Sequence, residues 1–184
     1  LPLHQPDNPL QSDTVLVESK GMQHWLNLQL AALEGVSMNR QFAMPSGFIW
    51  DLSRQLLSAS KVPRHSPYRR EVLRWRLDRL LTDPEFIREC PQPARYWGAG
   101  EREDGLKRFQ LACSLADVFE QYMLFRPDWI AAWEAGQRVT DDDNEVWQAW
   151  LWRALVCQQA YHPVMLQTQV LAALKDCDQA LLPT

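Results

Sequence analysis

Glycine is scarce, with seven residues in 184, which excludes a fold built on glycine-rich loops or many tight turns. Cysteine offers no framework either. Cys90, Cys113, Cys157 and Cys177 form no CxxC pair, and His4, His24, His65 and His162 are equally scattered. No local spacing supports zinc, and a disulfide scaffold is not expected at this size, so the thiols read as free in a reducing cytoplasm. No apolar run approaches the roughly 20 residues of a membrane span. The start Leu1-Pro2-Leu3 lacks the charged and long apolar regions of a signal peptide, and it lacks Met, so the chain reads as a piece of a longer protein. Charge of one sign is missing too: 19 Lys+Arg stand against 23 Asp+Glu, a net −4. That excludes a nucleic-acid binder working through total charge, and leaves room for a local basic patch.

What is present is ordinary globular composition, 46% hydrophobic and 23% charged, with nine tryptophans as the one oddity. The length suits one domain, or a domain with a smaller lobe, and should bury about 70% of the unfolded surface. Residues 1–13 carry Pro2, Pro6 and Pro9 and read as an extended lead-in. Thr14-Val15-Leu16-Val17 is a short buried-type strand. Met22, Trp25, Leu26, Leu30 and Leu33 then share a helical face that Gly35 ends. A weaker extended stretch, Val36 to Met44, leads to Ser46 as N-cap of a helix carrying Phe48, Ile49, Leu52, Leu56 and Leu57. Strand–helix–strand–helix is a fragment of a parallel α/β sheet.

After about residue 60 the pattern is helical. Helices are expected over Pro67 to Leu81 (Val72, Leu73, Leu77 and Leu80 inward), Leu106 to Leu124, Pro127 to Ala135, Glu145 to Gln159 and Val164 to Leu182. Pro91 to Gly105 reads as a connector. The fold class is therefore α/β and helix-rich: a partial parallel-sheet unit over residues 1–60, then an α-helical lobe over 61–184.

The turn after the first strand sits where a phosphate-binding loop would. Such a loop needs G-x-x-x-x-G-K-[ST], so that backbone N–H groups can approach phosphate and the Lys and hydroxyl can engage phosphate and magnesium. Glu18-Ser19-Lys20-Gly21-Met22-Gln23-His24 has one Gly and no Lys-Ser/Thr pair, so tight ATP binding is not expected. Pro6-Asp7 followed by Glu18-Ser19-Lys20 matches the P-D…[DE]-x-K spacing of magnesium nucleases. That chemistry needs converging carboxylates, and Asp7 between two prolines beside Glu18 at a strand end does not promise them.

On the Leu106–Leu124 helix, Lys107, Gln110, Ser114, Asp117 and Gln121 form one narrow polar stripe, and Glu120 interrupts the apolar arc. The stripe faces solvent, a groove or a channel. Lys61, Arg64, Arg69, Arg70, Arg74, Arg76 and Arg79 stand against only Glu71 and Asp78, with Tyr68 and Trp75 interleaved. These are the donors and planes of a nucleic-acid surface, and equally those of a solvated helix face. Trp147, Trp150 and Leu151 are expected to pack with Ala154, leaving Trp152 as a candidate for an interface or an exposed plane.

Three stretches carry a family likeness: Val15 through Leu26, Pro45-Ser46-Gly47-Phe48-Ile49-Trp50-Asp51, and Phe109 through Tyr122. Phe125-Arg126-Pro127-Asp128-Trp129 and Trp133-Glu134-Ala135-Gly136 continue it in order. Together they resemble the opening segment of the RecC family, the gamma chains of exodeoxyribonuclease V. The resemblance implies an inactivated, P-loop-helicase-like region that channels unwound DNA and scans the 3′-ending strand for a recombination hotspot. It implies a helicase–nuclease beta chain and a helicase alpha chain as partners, with ATP and magnesium used there and no cofactor in this chain. It further implies single- and double-stranded DNA as ligands, no membrane, and a cytoplasmic setting. The strand-channel residues it implies are Glu18, Lys20, His24, Met44, Trp50, Asp117, Val118, Glu120 and Arg126, with no catalytic or metal residue. Arg69, Arg70, Arg74 and Arg76 form the secondary basic patch. A stand-alone magnesium nuclease using Asp7, Glu18 and Lys20, or a protein-only scaffold lobe, are the other readings.

Overall fold

The computed structural model describes residues 12–57 and 62–176, with the side chain of residue 176 excepted. Residues 1–11 of the expected lead-in with Asp7, and Lys61, Cys177 and the expected end of the last helix at Leu182, lie outside the described residues, while Asp13, read as part of the lead-in, already belongs to the first strand. Among those described, two strands and nine helices follow in order. β1 (Asp13–Leu16), α1 (Lys20–Glu34), β2 (Arg40–Ala43) and α2 (Pro45–Leu56) make the α/β unit. β1 and β2 pair in parallel, from Asp13 opposite Arg40 to Leu16 opposite Ala43.

Ser19 caps α1 by accepting the Met22 N–H (3.1 Å), and Gly35 ends it at φ 79°. The expected apolar face does not go inside: Trp25 is 59% exposed, Met22 and Leu33 are also exposed, and no residue of α1 is buried. Two strands of four residues offer too little apolar sheet to cover a fifteen-residue helix. α2 begins before the expected Ser46 cap. Met44 is the N-cap without a side-chain bond and Pro45 takes the first turn, where its fixed φ and missing N–H cost nothing.

The helical lobe contains α3 (Arg70–Leu81), α4 (Pro84–Glu89), α5 (Pro91–Tyr96), α6 (Gly105–Phe125), α7 (Pro127–Glu134), α8 (Asp143–Gln158) and α9 (Pro163–Asp176). The stretch read as a connector from Pro91 therefore holds α5, and prolines at first turns open α4, α5 and α7 alike. α3 lies along α6, and Leu73, Leu77 and Leu81 meet Phe119, Trp133, Leu151 and Leu155 in one core. Val72, expected inward, is exposed on the outer side of α3.

Trp152 is the sharpest correction. It is fully buried at 0% exposure, edge-on to Phe119 and His162, with its indole N–H donating to Glu134 (3.0 Å). Trp147, Trp150 and Leu151 pack with Ala154 on the core as expected: Leu151 is fully buried, and the half-buried Trp150 lies 5.2 Å from the Phe86 ring. The core face of α8 runs through Glu145, Ala149, Trp152 and Leu155.

Two polar clusters lock this core. His162 is buried, its Nε2 3.0 Å from Glu134, while its Nδ1 accepts the Met165 N–H at the start of α9 (3.3 Å). Burial works to raise the Glu134 carboxyl, but bonds from His162 and Trp152 outweigh it and hold the group below its ordinary value. Glu145, 3% exposed, accepts from the Val139 N–H, the Thr140 N–H and hydroxyl (2.6 Å each) and the Trp133 indole (2.8 Å). A second, small core of Trp50, Val62 and Leu166 joins α2 to α9, and so joins the α/β unit to the lobe. No helix among the described residues is long and apolar enough to cross a membrane.

Candidate functional site

The register of β1 and β2 decides which residues meet. The Val17 N–H donates to the Ala43 carbonyl (2.9 Å), so both strands finish side by side. The chain leaves the same carboxyl edge twice, through Val17-Glu18-Ser19 into α1 and through Met44 into α2. Glu18, Lys20 and His24, and Met44 some twenty residues further on, all belong to this edge or the first turns of α1, and all are exposed. The side chains of Glu18, Lys20 and His24 make no hydrogen bond or ion pair among the described residues. In open parallel sheets, the crevice outside the carboxyl ends of the strands is where ligands bind.

The edge carries no phosphate loop. Strand and helix are separated by three residues, too few to wrap a phosphate with the glycine-rich backbone that such a loop requires. Gly21 is not there for close approach, since a Cβ would meet nothing nearer than Ser19 Oγ at 3.7 Å. The Ser19 hydroxyl already accepts from the Met22 N–H. No group of three or more His, Cys, Asp or Glu converges as a metal site among the described residues.

Trp50 is placed differently from its neighbours on α2. It is 9% exposed, packed in the small core with Val62 and Leu166, and its indole N–H donates to the Pro63 carbonyl (2.9 Å). The face of its ring is not open to a base.

On α6, Asp117 and Glu120 are gathered by a residue from α3. Arg70 lies 2.8 Å from Asp117 and 3.1 Å from Glu120, all three side chains about half exposed. Arg70 of the basic segment thus ties Asp117 of the polar stripe to Glu120 in one ion network, with Val118 half-buried beside it. Arg126, just past α6, pairs with Asp128 (2.9 Å) and lies over the Trp129 ring at 4.2 Å. No hydrogen bond or ion pair joins this group to the β1–β2 edge among the described residues.

The basic patch is less cationic than its sequence. Arg76 stacks on Tyr68 (4.9 Å) and donates to the Leu155 and Pro67 carbonyls, clamping α3 to the end of α8. Arg74 leans toward Trp75, 5.9 Å from its ring. Arg70 is neutralised by its two carboxylates, which leaves Arg69 and Arg74 as the patch residues whose side chains make no hydrogen bond or ion pair among the described residues. Burial pushes the Tyr68 hydroxyl up to about 12 despite Arg76; the hydroxyl donates to the Gln159 carbonyl.

Fold and edge together define a class: a parallel α/β unit with a strand–turn–helix at the nucleotide position, no phosphate loop in it, and a helical lobe attached. Residues 2–184 match the family described as RecC, N-terminal domain, and the chain belongs to that family. It is 36% identical over 198 residues to the RecBCD enzyme subunit RecC of Haemophilus influenzae, covering 93% of this chain and 17% of that protein. Against the RecBCD enzyme subunit RecC of Escherichia coli K12 the identity is 37% over 152 residues, covering 82% and 13%. The Mycobacterium tuberculosis H37Rv subunit is 28% identical over 181 residues, covering 94% and 16%. The chain thus spans about one sixth or less of the length of the curated relatives it matches.

Proposed function

We propose that the chain is a non-catalytic, DNA-handling piece of a RecC-type subunit, in which an inactivated helicase-like unit over residues 1–60 works with the helical lobe over 61–184. The observation that carries this reading is the carboxyl edge of β1–β2, where the ligand position of an α/β sheet is open and polar but holds no phosphate loop. Glu18, Lys20, His24 and Met44 line the path of the 3′-ending single strand there. Asp117, Val118, Glu120 and Arg126 form a second stretch of that path, and Arg70 sets the positions of the two carboxylates on it. Acidic groups suit recognition of base edges, since a carboxylate accepts from an exocyclic amino group, while cations take the backbone.

Trp50 serves this path from behind by fixing α2. The chain works in the bacterial cytoplasm beside a helicase–nuclease beta chain and a helicase alpha chain, which use the ATP and magnesium, and the complex resects broken duplexes and reads a recombination hotspot. The purified chain is expected neither to hydrolyse ATP nor to melt at a higher temperature with ATP and magnesium, and to leave linear duplex and single strands intact. An ATP-dependent rise in melting temperature lost in Lys20→Ala would overturn the inactive-helicase reading. Magnesium-dependent cutting lost in Asp7→Ala would replace it with a nuclease.

A further inference from the structure

The elbow between α5 and α6 surrounds a cavity of about 560 Å³ walled by Arg95, Tyr96, Arg102 and Lys107. Its framework is fixed by the core beneath it. Trp97, 1% exposed, lies nearly parallel to Phe86 (6.4 Å between centroids, 9° between planes). The Asp104 N–H donates to the Trp97 carbonyl (2.8 Å) and the Ala99 N–H to that of Ala94 (3.1 Å). Gly98 turns the chain at φ 70°, and a Cβ there would stand 2.6 Å from the Arg102 carbonyl oxygen, so only glycine closes this turn. The walls are therefore held by backbone bonds and a buried tryptophan, and the side chains on them are free to serve a ligand.

Charge inside the cavity is not balanced internally. The Asp104 carboxylate accepts the Leu106 and Lys107 N–H groups (3.1 Å each) as the cap of α6, and Glu103 faces Arg108 at 3.9 Å. Both acids thus have partners. The guanidinium groups of Arg95 and Arg102 have none among the described residues, and Lys107 reaches only Asp104, at 4.0 Å. Two forked donors without acceptors in one cavity match a phosphate. The Tyr96 ring on the same wall is 57% exposed and packs on no other aromatic ring.

We infer that this elbow binds one nucleotide of single-stranded DNA, its phosphate on Arg95 and Arg102 and its base on Tyr96. The volume is that of a site for a nucleotide-sized group, within the roughly 300–1,000 Å³ of ligand pockets. A duplex keeps its base faces covered, so only an unpaired base can lie on the ring. This site uses none of the residues of the β1–β2 edge; it rests on the reading above only for the choice of DNA as ligand.

The test is anisotropy of a labelled oligothymidylate titrated with the full chain across a salt series. Arg95→Ala with Arg102→Ala is expected to weaken binding at least about 10-fold and to flatten the slope of log affinity against log salt, each lost phosphate contact being worth about 0.7. Tyr96→Ala should weaken it about 5- to 100-fold, and Tyr96→Phe should keep it. Unchanged affinity in the arginine pair, with its thermal melt intact, overturns this site alone. A wild-type chain that binds no strand at low salt overturns it as well. A loss confined to Lys20→Ala and His24→Ala would keep the edge and reject the elbow.

Discussion

Glu145→Gln is expected to destabilise the chain by about 3 kcal/mol, the equivalent of the distance between its carboxyl at about 2 and the ordinary 4.5. Burial alone would raise this group. The Thr140 hydroxyl, the Val139 N–H, the Trp133 indole and the Thr140 N–H overcome that and favour the charged form. Glutamine would turn an amide N–H₂ toward donors, leaving buried groups unsatisfied. Because the folded carboxyl is depressed, its stabilisation is complete above about pH 4.5 and is lost as pH falls through about 2. Urea unfolding at two pH values checks this. The gap between wild type and variant should be about 3 kcal/mol at pH 7 and roughly half that at pH 3. A gap that does not change with pH would show that the carboxylate is not the source.

Trp50→Ala is expected to cost about 3 kcal/mol, in the range for removing a large aromatic from a core. It removes the packing against Val62 and Leu166 and the bond to the Pro63 carbonyl, the contacts that hold α2 to α9. Trp50→Phe keeps most of the packing and loses the bond, at about 1 kcal/mol. The ratio of these two effects in thermal melts distinguishes a structural ring from a stacking plane. If Trp50→Ala melts like wild type, the ring is a surface plane and belongs with His24 and Met44 in the strand path.

The order of elements was legible because its signals are local. Val15-Leu16-Val17 and Gly35 each act within a turn of where they stand, and so does Asp142, which caps α8 by accepting the Asn144 N–H. Proline cut both ways: Pro127 opens its helix where the pattern put it, whereas Pro91, read as the start of a connector, opens α5. Trp152 was misplaced for a different reason. α8 is apolar nearly all round, so its spacing names no single inward face, and only the positions of Tyr68, Phe119 and His162 choose one.

The candidate site was partly legible. Lys20 and His24 could be placed at the start of a helix from sequence, but their meeting with Met44 depends on the parallel register, which no local pattern states. Arg76 looked like Arg69 in sequence and differs wholly in use, because its acceptors lie 79 residues away at Leu155 and at Pro67. In sequence, Glu145 stands only as the first residue of an expected helix. Its only sequence signal was Thr140 five residues before it, a spacing outside the usual capping patterns.

The central claim is that the carboxyl edge of β1–β2 touches a single strand. Photo-crosslinking in the assembled helicase–nuclease complex tests it most directly, with Met44→p-benzoylphenylalanine and His24→p-benzoylphenylalanine as probes. Val146 on α8, exposed and not among the residues of the proposed path, takes the same substitution as control. The account predicts covalent capture of the 3′-ending strand at positions 44 and 24 during ATP-driven unwinding, and little at 146. Equal capture at all three positions, or none at 24 and 44 in a complex that unwinds normally, would contradict it.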